Sequence, residues 1–460
     1  MAGQELLERA TAAAQGYLHA VGERTVRAEL GSDELRCRLG GQLSESGEPP
    51  LQVLETLIAS GGRGTSASRG GRYFGFVTGS SLPVATAADW MVSAWDQNCA
   101  LQVMSPFVAA VEEVTGGWLK QLLGLPSAWS YGFVTGGTMA NFTGLAAARH
   151  HVLERAGWDV EVDGLSGAPP IEVVVSDEIH YSIAVALRLL GLGAARVRKV
   201  PTDGQGRMRV VELANTLAGI DGPCIACAQA GNVNTGALDP ITEIAAVTKP
   251  RGVWLHVDGA VGLWAAASDA HRTALAGVAS ADSVTTDAHK WLNVPYDCGL
   301  VFCAHPDAHR HAMSLASAYV QATAGERDPR EYAPEESRRG RAVPVYAALR
   351  TLGRRGVADL VERCCRHARR FAEGLSAAGY EVLNEVSLNQ VLVSFGDPEA
   401  TGRVIAAIQR DGTCWCGGTR WHGRTAMRIS VCSRATTEDD VERSLAAMLR
   451  CAAAVDARGD

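Results

Sequence analysis

Lysine is nearly missing from this chain. Of its 460 residues only Lys120, Lys199, Lys249 and Lys290 are lysine, and arginine supplies the rest of the 43 basic residues. A lysine inside a motif therefore calls for a chemical reason. Like charges never gather into a long block and the net charge is a mild −7, which excludes nucleic acid or an anionic membrane as the main partner. No apolar run reaches the roughly 18 residues of a membrane span. The opening Met1-Ala-Gly-Gln-Glu-Leu-Leu-Glu-Arg9 lacks the basic-then-apolar pattern of a secretory leader. The twelve cysteines show no disulfide spacing, so a reducing cytoplasm is the expected compartment. Cys224-Ile-Ala-Cys227 lies in an apolar, strand-like run where positions three apart face opposite sides. No second pair accompanies it, and no metal site is expected.

At 47% hydrophobic and 20% charged residues the composition is that of a soluble enzyme, long enough to bury a large core and to form two or three units. Residues 1–60 read as helices separated by glycine, and 61–71 as a loop. Between about 80 and 310, helical patterns alternate with short apolar runs at 171–175, 224–229, 253–257, 283–286 and 299–303. Such alternation implies an α/β fold with a mostly parallel sheet. Residues 311–340 are polar and rich in Arg, Glu and Pro, as expected of a mobile loop. A long helix from 341, strands at 391–395 and 426–431 and a last helix over 437–454 predict a small α+β C-terminal domain. The expected divisions are a helical segment 1–80, a large domain 81–310, the loop 311–340 and a small domain 341–460.

Lys290 directly follows His289 after the apolar run at 283–286. Upstream, His256, Asp258 and Ala260 alternate, which on a strand turns all three to one side. A carboxylate there is a costly buried charge unless a cation meets it. Thr135-Gly-Gly-Thr-Met-Ala-Asn141 precedes a helical pattern. Gly136 and Gly137 let a ligand approach the backbone, the helix N-terminus favours an anion, and Thr138 adds a hydroxyl. A plain turn with a Thr cap would use the same residues, and the Gly-Lys-Ser/Thr ending of a P-loop is missing. His180 and Asn232 each follow a strand, where ligands collect in parallel sheets, although a backbone-bonded loop histidine and ordinary turn chemistry are the alternatives. An amine for a Schiff base, a buried carboxylate for a pyridinium nitrogen and a Gly-rich helix start for a phosphate are together what pyridoxal 5'-phosphate (PLP) requires. Ala260 is small enough for a flat ring to lie against it.

The segments Arg72-Tyr-Phe-Gly-Phe-Val-Thr78, Thr135 to Asn141, His180, Asn232 to Pro240, His256 to Ala260, Asp287-Ala-His-Lys290 and Ser337-Arg-Arg339, in this order, resemble the group II PLP-dependent amino-acid decarboxylases, the family of the aromatic-amino-acid, tyrosine and glutamate decarboxylases. The resemblance spans about residues 70–450. It implies the PLP-dependent transferase fold of the aspartate-aminotransferase type (fold type I), with a large α/β domain and a small α+β one. It also implies a homodimer with shared active sites. By the same resemblance Lys290 is the Schiff-base lysine, Asp258 the pyridinium partner and His180 the histidine stacked on the ring. Gly137, Thr138 and His289 match phosphate-site residues, Asn232 a polar residue near the ring, and Phe76 and Thr78 a segment lining the substrate pocket. A loop tyrosine that returns a proton to the substrate would be Tyr332, with Tyr319 as the second candidate.

The expected activity is PLP-dependent decarboxylation of an L-amino acid. Phe74, Phe76 and Trp90 hint at an aromatic or apolar substrate side chain. If O₂ intercepts the reaction after CO₂ leaves, the product is an aldehyde in place of an amine. An aminotransferase, with Arg428 holding the substrate carboxylate, and a C–S lyase share the same residues. A PLP-binding regulator would need a DNA-binding domain for which neither length nor charge leaves a place.

Overall fold

The computed structural model describes residues 2–43, 45–314 and 327–457. Residues 315–326 of the expected loop, Tyr319 among them, lie outside these. Packing divides the chain into two units, one of 1–78, 370–383 and 392–460, the other of 79–369 and 384–391. The N-terminal helices thus group with the C-terminal residues in one unit.

The larger unit is built on a seven-stranded sheet. Its strands are β1 (Ser130–Val134), β2 (Glu172–Ser176), β3 (Arg198–Val200), β4 (Cys224–Gln229), β5 (Trp254–Asp258), β6 (Ser283–Asp287) and β7 (Gly299–Cys303). Their spatial order is β1-β7-β6-β5-β4-β2-β3. Only β7 opposes its neighbours: it pairs antiparallel with β1 and β6, while β6, β5, β4, β2 and β3 run parallel. The five residues of each of β1, β5, β6 and β7 are buried, as are the six of β4, because helices cover the sheet faces. Strand β3, Arg-Lys-Val at an edge, keeps its two cations exposed, a common protection of a sheet edge.

The other unit contains the helices Ala2–Ala20, Ser32–Leu39 and Pro50–Gly64 and most of a sheet ordered β10-β11-β9-β8, formed by β8 (Glu381–Val382), β9 (Gln390–Ser394, whose first two residues group with the larger unit), β10 (Gly417–Trp421) and β11 (Arg424–Ser430). Arg72 ties its early and late segments together, donating from Nη1 to Thr413 O at 2.8 Å and from Nη2 to Gly22 O at 2.7 Å. The last helix, Glu438–Asp456, starts with a capping box between Thr437 and Asp440, which satisfies two otherwise orphaned N–H groups. The loop expected over 61–71 begins later than expected. Gly61, Gly62 and Gly64 continue the helix from Pro50, and Thr65 closes it by donating its hydroxyl to Gly61 O at 2.8 Å. Apolar positions before the glycines carry the helix through residues that each cost about 1 kcal/mol of propensity.

Candidate active site

Four strand ends of the larger unit converge. Beyond β1 come Thr135 to Thr138, beyond β2 His180, beyond β5 Ala260, and beyond β6 His289 and Lys290. These are the carboxyl ends of parallel strands, where open α/β sheets bind ligands. Gly137, Thr138, His180, Ala260, His289 and Lys290 all border one cavity of about 370 Å³.

The helix Gly137–Glu154 begins at the cavity, so its unpaired N–H groups suit an anion. A Cβ at Gly137 would stand 2.7 Å from Asp287 Oδ2, so only glycine leaves that approach open. Asp287 Oδ2 in turn holds Lys290 Nζ at 2.8 Å. Asp287 was not singled out from the sequence, although it belongs to the Asp-Ala-His-Lys motif. The backbone of Lys290 is fixed from the other side. A Cβ at Gly79 would come within 1.9 Å of Lys290 O, and Asn293 N donates to the same oxygen at 3.2 Å.

Asp258 is 5% exposed. Its Oδ2 accepts from Asn141 Nδ2 at 2.9 Å and its Oδ1 from Ala260 N at 3.0 Å. It has no ion pair among the described residues. The carboxylate only accepts, and this fixes Asn141: Nδ2 faces Asp258 and Ser182 Oγ (3.0 Å), leaving Oδ1 to accept from Thr285 Oγ1 (2.7 Å) and His256 Nε2 (3.0 Å). All four hydrogen-bonding positions of the carboxamide are thereby filled. His256 accordingly carries its proton on Nε2, and its Nδ1 accepts from Ser283 Oγ at 2.7 Å. Burial pushes the His256 pKa down, against the opposing pull of Asp258, so the ring is neutral. Ser182 Oγ passes the order on to His180 Nδ1 at 2.7 Å, and Ser182 N donates to the same nitrogen at 3.3 Å, which places the His180 proton on Nε2.

His289 is also held neutral by burial, with Lys290 acting in the same direction and Asp287 against it. Its Nδ1 accepts from Cys298 N at 3.1 Å. An amide nitrogen can only donate, so the remaining ring proton sits on Nε2, ready to donate to an anion.

Asn232 is buried, and its Oδ1 accepts from Asn234 N and Thr235 N at 2.8 and 3.2 Å. That is turn chemistry, and it leaves Nδ2 as a buried donor without a partner. Phe76 and Thr78 belong to the other unit. There Phe76 stacks on Trp415 at 5.2 Å and is 69% exposed. Phe76 and Val77 both adopt left-handed backbone, φ 53° and 56°, which for residues of this kind is strained and concentrates at functional segments. Arg428 lies on β11 of that unit, with burial pushing its pKa down.

Tyr332 packs beside β1, its carbonyl oxygen close to Gly132. It ends the short 3-10 helix Pro329–Tyr332, with its ring edge-on to His309 at 5.3 Å and the Arg327 guanidinium 4.2 Å over its face. His309 pairs with Ser130, at the start of β1, whereas the cavity lies past the end of β1. Tyr332 does not border the cavity of its own chain.

These residues fit PLP. Asp258 is a buried carboxylate awaiting a cation such as a pyridinium N–H. Gly137 leaves open a cradle that a Cβ would fill, and Lys290 offers an amine at the cavity wall.

Residues 55–396 match the family model described as the pyridoxal-dependent decarboxylase conserved domain. The aromatic-L-amino-acid decarboxylase of Bacillus atrophaeus is 27% identical over 443 residues, covering 92% of this chain and 90% of the relative. The L-2,4-diaminobutyrate decarboxylase of Rhizobium meliloti (strain 1021) is 30% identical over 379 residues, covering 79% of this chain and 74% of the relative. The structure of Oryza sativa TDC with PLP and tryptamine matches with a TM-score of 0.91 at 22% identity, over 98% of this chain and 97% of that one. At that identity it shows the shared fold.

Proposed function

The chain belongs to the pyridoxal-dependent decarboxylase family and is a PLP-dependent amino-acid decarboxylase, and from that premise we propose that Lys290 carries the cofactor and that the substrate bears an aromatic or apolar side chain. The observation that carries the site assignment is Asp258, a buried carboxylate whose only contacts among the described residues are neutral donors, beside a cavity that holds the Lys290 amine.

When bound, PLP supplies the electron sink for the bonding pair left by the departing carboxylate. The residues of this chain do the rest. Asp258 keeps a proton on the ring nitrogen, and Asn141 aims that carboxylate. The backbone N–H groups at Gly137 and Thr138, together with His289 Nε2–H, hold the phosphate. His180 would lie against the ring face, with Ala260 leaving room on the other side. Asp287 holds the Lys290 amine at the cavity wall.

An aromatic-L-amino-acid decarboxylase among the relatives supports the substrate class. A homodimer is in keeping with a cluster of exposed apolar side chains in the larger unit: Trp90, Met91, Trp95, Met104 and Phe107 are 41–54% exposed, and such patches mark subunit interfaces.

The test is to measure CO₂, amine, ammonia and H₂O₂ release across aromatic, aliphatic, acidic and basic L-amino acids, and to treat wild type and Lys290→Ala with borohydride. Aromatic substrates should lead, and the variant should lose the reducible covalent adduct. An adduct retained in Lys290→Ala would overturn the lysine assignment, and preference for a diamino or acidic substrate would overturn the substrate class.

A further inference from the structure

At the far end of the helix Gly137–Glu154, three side chains converge away from the PLP cavity. His150 and Glu154 stand one turn apart on that helix, and His311 projects from the helix Pro306–Met313. One ligand atom from each lies within 4.8 Å of the others. His150 Nε2 is 3.7 Å from Glu154 Oε2, and the two imidazole rings are 5.3 Å apart. His150 is only 6% exposed, yet its Nε2 makes no hydrogen bond. Its Nδ1 is hydrogen-bonded to the Glu161 carboxylate. A carboxylate accepts, so Nδ1 carries a proton, and when Nε2 gives up its own proton its lone pair is directed at the other two groups. A carboxylate behind a histidine is how proteins orient and strengthen a metal-ligating imidazole. The open side faces a pocket of about 440 Å³ that Trp158 and Asp159 also border.

We propose that His150, Glu154 and His311 form a binding site for a first-row divalent cation, Zn²⁺ foremost, with Glu161 as the orienting partner and water in the fourth position. Two imidazoles and one carboxylate suit Zn²⁺, Ni²⁺ or Cu²⁺ and not Mg²⁺ or Ca²⁺, which prefer all-oxygen sites. Tetrahedral bonds of about 2.0–2.1 Å set ligand atoms roughly 3.3 Å apart; the His150–Glu154 pair at 3.7 Å is close to that, and His311, with all three ligand atoms within 4.8 Å, closes on them by a side-chain rotation. The ion would clamp the end of the helix Pro306–Met313 to the helix whose other end opens on the PLP cavity. The alternative occupant of the same space is a proton on His150 Nε2, shared with Glu154.

The test uses untagged, full-length, PLP-loaded protein stripped with a chelator. Because Cys37 is an exposed thiol, the Cys37→Ser background removes the competing soft ligand. Calorimetric titration should give one Zn²⁺ per chain with a Kd in the micromolar range or tighter, no heat with Mg²⁺, and a Tm that rises with Zn²⁺ as expected for a ligand that binds only the folded state. Glu154→Gln and His311→Ala alter exposed side chains and should leave the circular dichroism unchanged, while each weakens binding at least about tenfold. No micromolar Zn²⁺ uptake, or uptake unaffected by both substitutions, overturns the site and leaves a protonated His150 ion pair in its place.

Discussion

Asn141 Nδ2 lies 2.9 Å from Asp258 Oδ2 while its Oδ1 takes the His256 proton at 3.0 Å. One fully buried carboxamide thus sets the direction of the hydrogen bonds that join it to Asp258, His256 and Ser182. Asp258→Ala is expected to lower kcat by at least about 100-fold, because an unprotonated ring is a poor electron sink. Asn141→Ala removes one charge-assisted hydrogen bond, worth about 1.5–3 kcal/mol, and should lower kcat by about 10- to 100-fold with PLP still bound. The cofactor's absorption band and kcat, measured together, check both. Near-native turnover in Asn141→Ala would show that Asp258 holds its place unaided.

The packing of Tyr332 carries a second prediction. Its ring is sandwiched between Arg327 and His309, and Tyr332→Phe keeps that ring. The ratio of amine to aldehyde should therefore be unchanged in this variant. Tyr319→Phe should shift product toward aldehyde, with O₂ consumed and H₂O₂ formed, because a phenyl group cannot return the proton. An O₂ electrode trace on both variants decides, and a shift in Tyr332→Phe alone would restore Tyr332 as the proton donor.

Arg338 and Glu112 form an ion pair at 2.8 Å with both side chains fully buried. Arg338 Nη2 also donates to Phe133 O at 2.7 Å, pinning β1. Arg338→Met leaves the buried Glu112 carboxylate with Arg327 alone, 3.5 Å away, and should cost about 3 kcal/mol. The double variant Arg338→Met with Glu112→Leu should recover most of the loss. Urea unfolding of the three proteins measures this, and a double variant no more stable than the single one would contradict it.

Acid should weaken the fold through its buried histidines. Burial, with Arg327 acting in the same direction, pushes the His309 pKa down to about 3. Unfolded histidine titrates near about 6.5, so between those values the unfolded chain binds the proton and the folded chain does not. Stability is then complete above about pH 6.5 and falls as pH drops toward 3. Denaturation midpoints at pH 7.5 and 5.5 should differ less in His309→Gln than in wild type, and equal differences would assign the effect to other groups such as His256.

Apolar strands with turn residues behind them were legible in the sequence. The runs at 224–229, 283–286 and 299–303 lie within one residue of β4, β6 and β7. Strand β1 was not, because Ser-Tyr-Gly-Phe-Val interrupts its short apolar run with glycine, and β3 was hidden by its two cations. Lys290, His180, Gly137 and Ala260 could be gathered from motif chemistry, and they do share a cavity. Asn141 escaped because a polar residue one turn into a helix looks the same whether it meets solvent or a carboxylate. The only available hint was that the rest of that helical face is apolar. Where Tyr332 packs was not legible, because loop position along the chain carries no information about which end of β1 a ring will meet.

Strand β1 has one neighbour in the sheet, β7, and Ser130 pairs with Cys303, 173 residues later. A ribosome must therefore deliver more than half of the polypeptide before the strand that leads into Gly137 has anything to pair with. Until then its backbone donors and acceptors are unmatched. Contacts this distant in sequence form slowly, and partly made chains with open strand edges aggregate. Yield of soluble protein should accordingly depend on translation speed across the stretch between β1 and β7 more than on any step after release.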